Sequence, residues 1–283
     1  MSQENEAPAP GKSRPDSSTD RVLGLLDLFT EENPTWTADA MIERQQVARA
    51  TMYRYLRSLV DTGFLSPLGA GAYALGPRVV QMDRLIRMID PLLQHGPQVM
   101  ARISDEVDGG QLLCRYYGLS VVSIHEHKTD PRIKSSFDRG RPFPLFQGSP
   151  SKAILAHLGP AQLQRLYLYH SREIVQAGLG ETWAEFKNKM KAIRDRGFAV
   201  ASDVDTTLVG VSAPIFVPKE EVSAALCLVR LKRSTSEDDI EKLGALAIKA
   251  ANEISQLAQA GTEVPTPAEK AKAKATAQPK RGR

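Results

Sequence analysis

Basic and hydrogen-bonding side chains recur at helical spacing between residues 44 and 60 of this chain. Four arginines lie in that segment without an acidic residue, so it carries a local charge of +4. Arginine, threonine and tyrosine side chains can reach base edges or phosphates from a helix that lies in the major groove of DNA. The residues predicted to contact DNA are Arg44, Arg49, Thr51, Tyr53, Arg54 and Arg57.

The elements needed to present these side chains can be recognised around them. Thr37 is a suitable N-cap for a short helix, TADAMIER, and Gln45 and Gln46 form the turn that follows it. A second helix, ARATMYRYLRSLVDTG, stops at Gly63, and two short strands around the tip 68–71 would make a wing. The predicted buried residues of the second helix are Met52, Leu56, Leu59 and Val60. A solvated amphipathic helix is the alternative, but this order of elements favours a winged helix-turn-helix.

Length and composition limit the class of protein. The chain has 283 residues, of which 42% are hydrophobic, enough to fill two cores. No apolar run approaches a membrane span and the N-terminus does not resemble a signal peptide, so we expect a cytoplasmic protein without a membrane partner. The two cysteines, Cys114 and Cys227, are too few for a disulfide framework and are interpreted as small buried hydrophobic side chains.

Both ends of the chain have the composition of disordered segments. Residues 1–18 are rich in Pro, Ser and Glu, and residues 261–283 mix Ala, Lys and Pro without apolar periodicity. The C-terminal segment has six basic and two acidic residues, so its net charge of +4 equals that of the whole chain. This basic tail would either add nonspecific phosphate contacts or act only as a solubilising tail.

Apolar periodicity divides the rest of the chain into three parts. We assign residues 19–77 to the winged domain, residues 78–91 to a linker helix and residues 92–260 to a second domain. The second domain has strand-like runs, QLLCRYYG and SVVSIHEHK, then helices, then further strands, and a closing helix that Ser236 would cap. This order indicates an α+β fold in which an antiparallel sheet carries helices on its faces.

The linker helix has an apolar side of its own. Its apolar residues recur at helical spacing, and Pro91 would end or kink the helix. These residues are Val79, Met82, Leu85, Ile86 and Ile89. The apolar side could pair with a second copy of the chain or pack on its own domain.

Several separated motifs make residues 18–260 similar to the IclR family of bacterial transcriptional regulators. RQQVARATMYRYLRSLVDTGF resembles the family's turn and recognition helix, and YALG resembles its wing end. GSPSKAILAHL, IRDRGFAV and SAPIFV resemble three motifs of the family's ligand-sensing domain. The resemblance implies a homodimer or dimer of dimers on a near-palindromic double-stranded operator. It also implies a repressor or activator of a catabolic or transport operon that responds to a small carboxylic acid, without cofactor or catalysis.

The resemblance places a ligand pocket between the sheet and the helix that starts at GSPSKA. Gly148 and Ser149 would donate to the acid group of the ligand, and Asp203 or Asp205 lies where the family often has a glutamate. Ser149 could instead simply cap its helix. The residues that would face the pocket from the two long strands are Gly210, Ser212, Cys227 and Val229.

Aromatic residues of the second domain could line the pocket or fill a core. They are Tyr116, Phe137, Phe143 and Phe146, and we include Tyr116 and Phe146 among the predicted ligand contacts. Cys227 and Val229 stand where relatives often carry serines, which predicts a bulkier, less polar ligand such as an aromatic carboxylate.

Other residues depart from the family pattern in the turn, the wing and the second domain. The turn glycine is Gln46 here, and the tip of the wing has no basic side chain. Ser151 replaces a glycine, and the loop before Gly210 lacks the usual Pro-Gly.

Two other classes of protein are alternatives. A hydrolase with an appended DNA-binding module would use Cys114 or Cys227 as nucleophile, but the sequence supplies no imidazole and orienting acid with either thiol. An architectural DNA binder would depend on the basic tail. His125 and His127 share one face of a strand, but no third ligand follows at a suitable spacing, so no metal site is predicted.

Overall fold

The computed structural model describes residues 17–133, 138–218 and 221–260. Most of the N-terminal segment, the whole basic tail and Phe137 therefore lie outside the described residues. The chain separates into two compact units, with the boundary between Ile89 and Asp90.

In its described residues, the first unit combines four α-helices with a three-stranded antiparallel sheet of order β1-β3-β2. Its elements are α1 (Ser18–Gly24), β1 (Trp36–Thr37), α2 (Ala38–Gln45), α3 (Arg49–Asp61), β2 (Leu65–Pro67), β3 (Ala72–Leu75) and α4 (Pro77–Ile89). The succession of α2, turn, α3 and the β2–β3 hairpin confirms the predicted winged helix-turn-helix. Strand β1, which pairs with β3 through Trp36 and Tyr73, was not predicted.

The ends of α2 and α3 follow from their capping residues. The amide of Ala40 donates to Thr37 Oγ1 at 3.3 Å, which confirms the predicted N-cap. Gln46 adopts a left-handed conformation with φ 51°, so the turn forms at the position where the family has glycine. Gly63 (φ 76°) ends α3, and the amide of Phe64 reaches back to the carbonyl of Leu59 at 2.8 Å, as in a Schellman motif.

The core of the first unit differs in one detail from the expectation. Met52, Leu56 and Leu59 of α3 are buried as predicted, but Val60 is only partly buried and Tyr55 is buried instead. The buried stripe therefore runs along positions 52, 55, 56 and 59, the i, i+3, i+4, i+7 pattern of a helix face. Val60 lies at the margin of that stripe.

The second unit is built on a six-stranded antiparallel sheet of order β6-β5-β4-β9-β8-β7. Its strands are β4 (Gly110–Tyr116), β5 (Val121–Lys128), β6 (Pro142–Phe143), β7 (Ala199–Ala201), β8 (Leu208–Phe216) and β9 (Val222–Leu231). Its helices are α5 (Pro91–Ile103), α6 (Ser149–Leu155), α7 (Pro160–Gln176), α8 (Trp183–Arg196) and α9 (Glu237–Ala260). This arrangement confirms the predicted α+β fold.

The two faces of the sheet bury separate sets of side chains. Alternate residues point to opposite faces, so Leu112 packs with α6, α7 and α8, whereas Leu113 packs with α5 and α9. In the same way Cys227 belongs to the first set and Leu226 and Leu228 to the second. The pocket predicted from the sequence lies on the α6 face.

Capping residues also mark the start of the first and the last helix of the second unit. Asp90 caps α5 through the amide of Leu92, so Pro91 occupies the first turn of the new helix, and α4 ends before it. The amide of Asp239 donates to Ser236 Oγ at 3.2 Å, which confirms the predicted cap of α9. Among the described residues, no helix has the length and apolar character needed to cross a membrane.

Candidate functional site

Helix α3 presents most of the predicted DNA contacts to solvent. Arg49, Tyr53, Arg54 and Arg57 are exposed, as is Arg44 at the end of α2, whereas Thr51 is half-buried. The first turn of α3 contains no acidic residue, and its N-cap, Ala48, makes no side-chain hydrogen bond to the helix. The start of the helix therefore combines the positive end of the helix dipole with arginine side chains.

Local contacts hold these arginines on the surface. Arg49 lies 3.1 Å from Asp39, and its guanidinium carbon is 5.8 Å from the centre of the Tyr53 ring. A hydrogen bond to Tyr53 and the charge of Asp39 raise the pKa of Arg49 above its usual value. Arg57 lies 3.7 Å from Asp61, and Arg54 lies over the ring of Tyr55. Exposed ion pairs of this kind are weak and exchange readily for phosphate contacts.

A cavity lies between the α6 face of the sheet and the loop that joins β7 to β8. Its walls come from β4, β8, β9, the start of α6 and this loop. The predicted ligand contacts that line it are Gly148, Ser149, Asp203, Asp205, Gly210, Cys227 and Val229. The lining residues that were not predicted as ligand contacts are Leu112, Phe143, Pro150, Ala201, Ser202, Val204 and Leu208.

The side-chain hydroxyl of Ser149 makes its hydrogen bonds with residues of the sheet and not with its own helix. Its Oγ lies 2.7 Å from Ser212 Oγ and 3.5 Å from Cys227 Sγ, and all three residues are buried. Ser212 was predicted as a ligand contact, but it supports Ser149 and does not line the cavity itself. Gly148 is the N-cap residue of α6, so the alternative that Ser149 caps this helix is wrong. A methyl group on Gly210 would lie 2.6 Å from Ser149 Oγ, so only glycine lets Ser149 approach the strand this closely.

Asp203 occupies the Gly148 amide at the polar end of the cavity and pairs with Lys152, which does not itself line the cavity. Its Oδ1 accepts a hydrogen bond from the amide of Gly148 at 3.0 Å, and its Oδ2 accepts one from Lys152 Nζ at 2.6 Å. The expectation that the Gly148 amide is available to a ligand is therefore corrected, because a carboxylate of the protein already uses it. Asp205 is engaged differently, since it accepts hydrogen bonds from the amide and hydroxyl of Thr207.

Two further predicted ligand contacts lie outside the cavity lining. Tyr116 is on the same face of β4 as Leu112 but about 13 Å further along the strand. Its hydroxyl accepts a hydrogen bond from Gln162, and burial raises its pKa. Phe146 is buried, with its ring 5.7 Å from that of His170 on α7. Both side chains fill space between the sheet and α7.

The lining residues that the sequence did not predict reach the cavity through pairing across the sheet. Leu112 pairs with Cys227 in register, so the two share one wall of the cavity. Phe143 lies on β6, a strand of two residues that shows no periodicity of its own. The alternation of β4 places Leu112 on the correct face, but its neighbour on β9 could not be read from the sequence.

The cysteines do not have the surroundings of nucleophiles. Cys114 and Cys227 are both buried, and burial raises the pKa of each thiol above its usual value. The polar neighbours of Cys227 are the hydroxyl groups of Ser149 and Ser212, which are not general bases. Within the described parts of the chain, no group of His, Cys, Asp and Glu side chains is arranged to hold a metal ion.

Comparison with known proteins gives two matches that together cover most of the described residues. The model for the C-terminal domain of the bacterial transcriptional regulator IclR matches residues 90–256, and the model for the IclR helix-turn-helix domain matches residues 18–69. The HTH-type transcriptional regulator KipR of Bacillus subtilis is 24% identical over 239 residues, which are 83% of this chain and 94% of KipR.

Solved structures share the fold. An IclR transcriptional regulator from Silicibacter superposes with a TM-score of 0.73 at 18% identity, covering 86% of this chain and 96% of that chain. An IclR homolog from Microbacterium hydrocarbonoxydans, solved in complex with 4-hydroxybenzoate, superposes with a TM-score of 0.67 at 19% identity, covering 86% and 100%. Since the C-terminal family model alone spans more than half of the sequence, the chain belongs to the IclR family of bacterial transcriptional regulators, which are not enzymes.

Proposed function

We propose that this regulator binds a near-palindromic operator as a homodimer and changes its operator affinity when a small, preferably aromatic, carboxylic acid enters the α6 cavity. The cavity carries the proposal, because it joins a polar end to apolar walls in the domain that the family uses for effectors.

The exposed side of α3 supports its role as the recognition helix. A major groove admits one helix, and arginine can bond both acceptors of a guanine edge at once. Arg54 and Arg57 are exposed one turn apart on α3, so both can enter the same groove. The tip of the wing, residues 68–71, has no basic side chain, which leaves α3 as the main source of contacts.

The lining of the cavity supports a compact acid with an apolar body. Apolar walls face the polar end, and they come from Leu112, Phe143, Leu208 and Val229. A benzoate-sized molecule matches this combination, and 4-hydroxybenzoate is the ligand of the Microbacterium homolog.

Helix α4 supports the homodimer. It contains no buried residue, and Ile89 on its apolar side is 74% exposed. Leu85, Ile86 and Met88 are each about half exposed. An apolar helix side of this extent is unfavourable in water, and a second copy of α4 would cover it.

Two measurements test the proposal. Selection of bound sequences from random duplexes should enrich an inverted repeat, whereas indiscriminate binding would favour the architectural alternative. Calorimetric titration with benzoate, 4-hydroxybenzoate, pyruvate and glyoxylate should show binding of the aromatic acids. Ser149→Trp fills the cavity and should abolish this binding without loss of the operator preference. Binding of the short oxoacids alone would contradict the inference from the apolar walls.

A further inference from the structure

The ion pair at the polar end of the cavity contains a carboxylate that belongs to the protein. Asp203 Oδ1 accepts the Gly148 amide proton at 3.0 Å, and Asp203 Oδ2 accepts a proton of Lys152 Nζ at 2.6 Å. Amide and ammonium donors side by side are also what the acid group of a ligand requires. The protein thus holds one of its own carboxylates where a ligand carboxylate would bind.

We propose that Asp203 is a built-in competitor that occupies the acid subsite of the ligand-free protein, and that an effector acid binds by displacing it. This inference rests on the proposed function and identifies the residue that sets the affinity of the pocket for acids. Displacement is an exchange of one carboxylate for another at the same two donors.

Charge and hydrogen bonding both exclude simultaneous occupancy. The Gly148 amide has one proton to donate, so a second carboxylate can use it only after Asp203 has left. Two carboxylates within reach of one ammonium group also repel each other. An acid that entered beside an intact Asp203 would therefore lose a hydrogen bond and gain a like-charge contact.

The exposed fractions of the two side chains indicate which member of the ion pair moves. The Lys152 side chain is 14% exposed, whereas that of Asp203 is 32% exposed. Lys152 lies on α6, and Asp203 lies in the loop between β7 and β8, which also lines the cavity. Asp203 can therefore leave towards solvent with its loop, while Lys152 stays and then takes the ligand carboxylate as its new partner.

Asp205 provides a matched control within the same loop. It also lines the cavity and has the same charge, but its carboxylate accepts hydrogen bonds from Thr207 at 2.9 and 2.7 Å. Neutralising Asp205 removes one negative charge near the pocket without freeing the Gly148 amide or Lys152. A general charge effect would raise acid affinity equally in Asp203→Asn and Asp205→Asn, whereas competition predicts a larger gain in Asp203→Asn.

The test is a calorimetric titration of the full-length wild type, Asp203→Asn and Asp205→Asn with benzoate and with acetate. Removing a competitor raises the fraction of protein that is competent to bind, so Asp203→Asn should bind both acids about tenfold more tightly or better. Asp205→Asn should gain clearly less than Asp203→Asn, because it frees neither the Gly148 amide nor Lys152. Asp203→Ala, as a second variant, should show the same gain as Asp203→Asn.

Thermal unfolding gives a second, independent measurement. Asp203→Asn leaves a largely buried ammonium group without a negatively charged partner, so the variant should unfold at a lower temperature than the wild type. Benzoate replaces the missing carboxylate, and it should therefore raise the unfolding temperature of Asp203→Asn more than that of the wild type. Adding Lys152→Gln to Asp203→Asn should remove this gain.

Three results would overturn the proposal. Equal gains in Asp203→Asn and Asp205→Asn would show a general charge effect, and weaker acid binding by Asp203→Asn would make Asp203 a ligand contact. Failure of both acids to bind Asp203→Asn would show that the freed donors are not an acid subsite. Tighter acid binding by Asp203→Asn with no change in operator affinity would leave Asp203 a competitor and contradict the proposed regulatory function instead.

Discussion

At the scale of single residues, the pocket depends on a glycine that lets a buried serine reach the sheet. Ser149 Oγ lies 2.7 Å from Ser212 Oγ because Gly210, on the same strand, has no side chain in the way. A methyl group at Gly210 would also lie 3.3 Å from Cys227 Sγ. The close spacing between α6 and β8 at the cavity thus depends on the absence of a side chain at Gly210.

Gly210→Ala tests this spacing. The added methyl group would lie 2.6 Å from Ser149 Oγ, so Ser149 must shift towards the cavity, and we expect acid affinity to fall about tenfold or more. Operator binding without acid should be unaffected. Gly159→Ala is the matched control, because a methyl group there meets no atom within 4 Å. Unchanged acid affinity in Gly210→Ala, measured by calorimetry, would place the ligand elsewhere.

Arg54→Ala tests base recognition by α3. If Arg54 makes a bidentate contact with guanine, its loss should weaken operator binding by about 1–3 kcal/mol and random-duplex binding much less. Fluorescence anisotropy with both duplexes measures the difference. Arg21→Ala, an exposed arginine on α1, should change neither affinity appreciably. Equal losses on both duplexes would reduce Arg54 to a phosphate contact.

At the scale of helices and strands, capping residues and periodicity predicted most elements. Contacts between residues distant in the sequence could not be predicted in this way. Thr37 and Gly63 fix the limits of α2 and α3, and Ser236 fixes the start of α9. Strands β1 and β6 have two residues each and form only because a partner strand is present. Two residues cannot show a period, so no local pattern predicts them.

The candidate site shows the same limit. Local motifs predicted many of its lining residues, but contacts between residues distant in the sequence were not predicted. The motif around Gly148 and the strand motifs place seven of the ten predicted ligand contacts on the cavity wall. That Asp203 is bonded to Gly148 depends on a contact between residues 55 positions apart, which the sequence does not show. Tyr116 was misplaced because alternation gives the face of a strand but not the position of the cavity along it.

Helix α4 provides the prediction at this scale. Leu85→Glu places a charge within the exposed apolar side, so it should shift the protein from dimer to monomer and weaken binding to the full operator by about tenfold or more. Affinity for an isolated half-site should stay the same. Arg84→Glu places a carboxylate at an exposed position on the opposite side of α4 and serves as control. A dimer mass for Leu85→Glu by light scattering would contradict the assignment.

At the scale of the whole molecule, two basic segments of the chain differ in character. One is the segment from Arg44 to Val60, and the other is the C-terminal segment 261–283 with six basic residues. The first belongs to a helix that can read sequence, while the second has a composition suited to nonspecific phosphate contacts. The two should therefore contribute differently to operator affinity and to affinity for any DNA.

Deletion of residues 261–283 tests this division. If the tail binds phosphates, the salt dependence of nonspecific binding should become less steep, by about 0.9 in log–log slope for each phosphate that the tail neutralises. The ratio of operator to random-duplex affinity should not change. Salt titrations of the full-length and shortened proteins measure both quantities. An unchanged slope would leave the tail as a solubilising segment.

Coupling between the cavity and the DNA-binding helix is the central claim for the molecule as a whole. A ligand changes operator affinity only if it binds two states of the protein unequally, and the coupling must be reciprocal. The acid should therefore change operator affinity by the same factor by which the operator changes acid affinity. This equality involves both units and cannot arise from an acid that binds the DNA or denatures the protein.

The most direct test is the dissociation constant of a labelled operator duplex, measured by fluorescence anisotropy with full-length protein, with and without a saturating acid from the calorimetric titrations. We expect a change of at least about fivefold, and an equal change in acid affinity when the operator is bound. Gly210→Ala should need about tenfold more acid, or a still higher concentration, to reach the same change. An operator dissociation constant that stays the same while the acid demonstrably occupies the cavity would contradict the coupling.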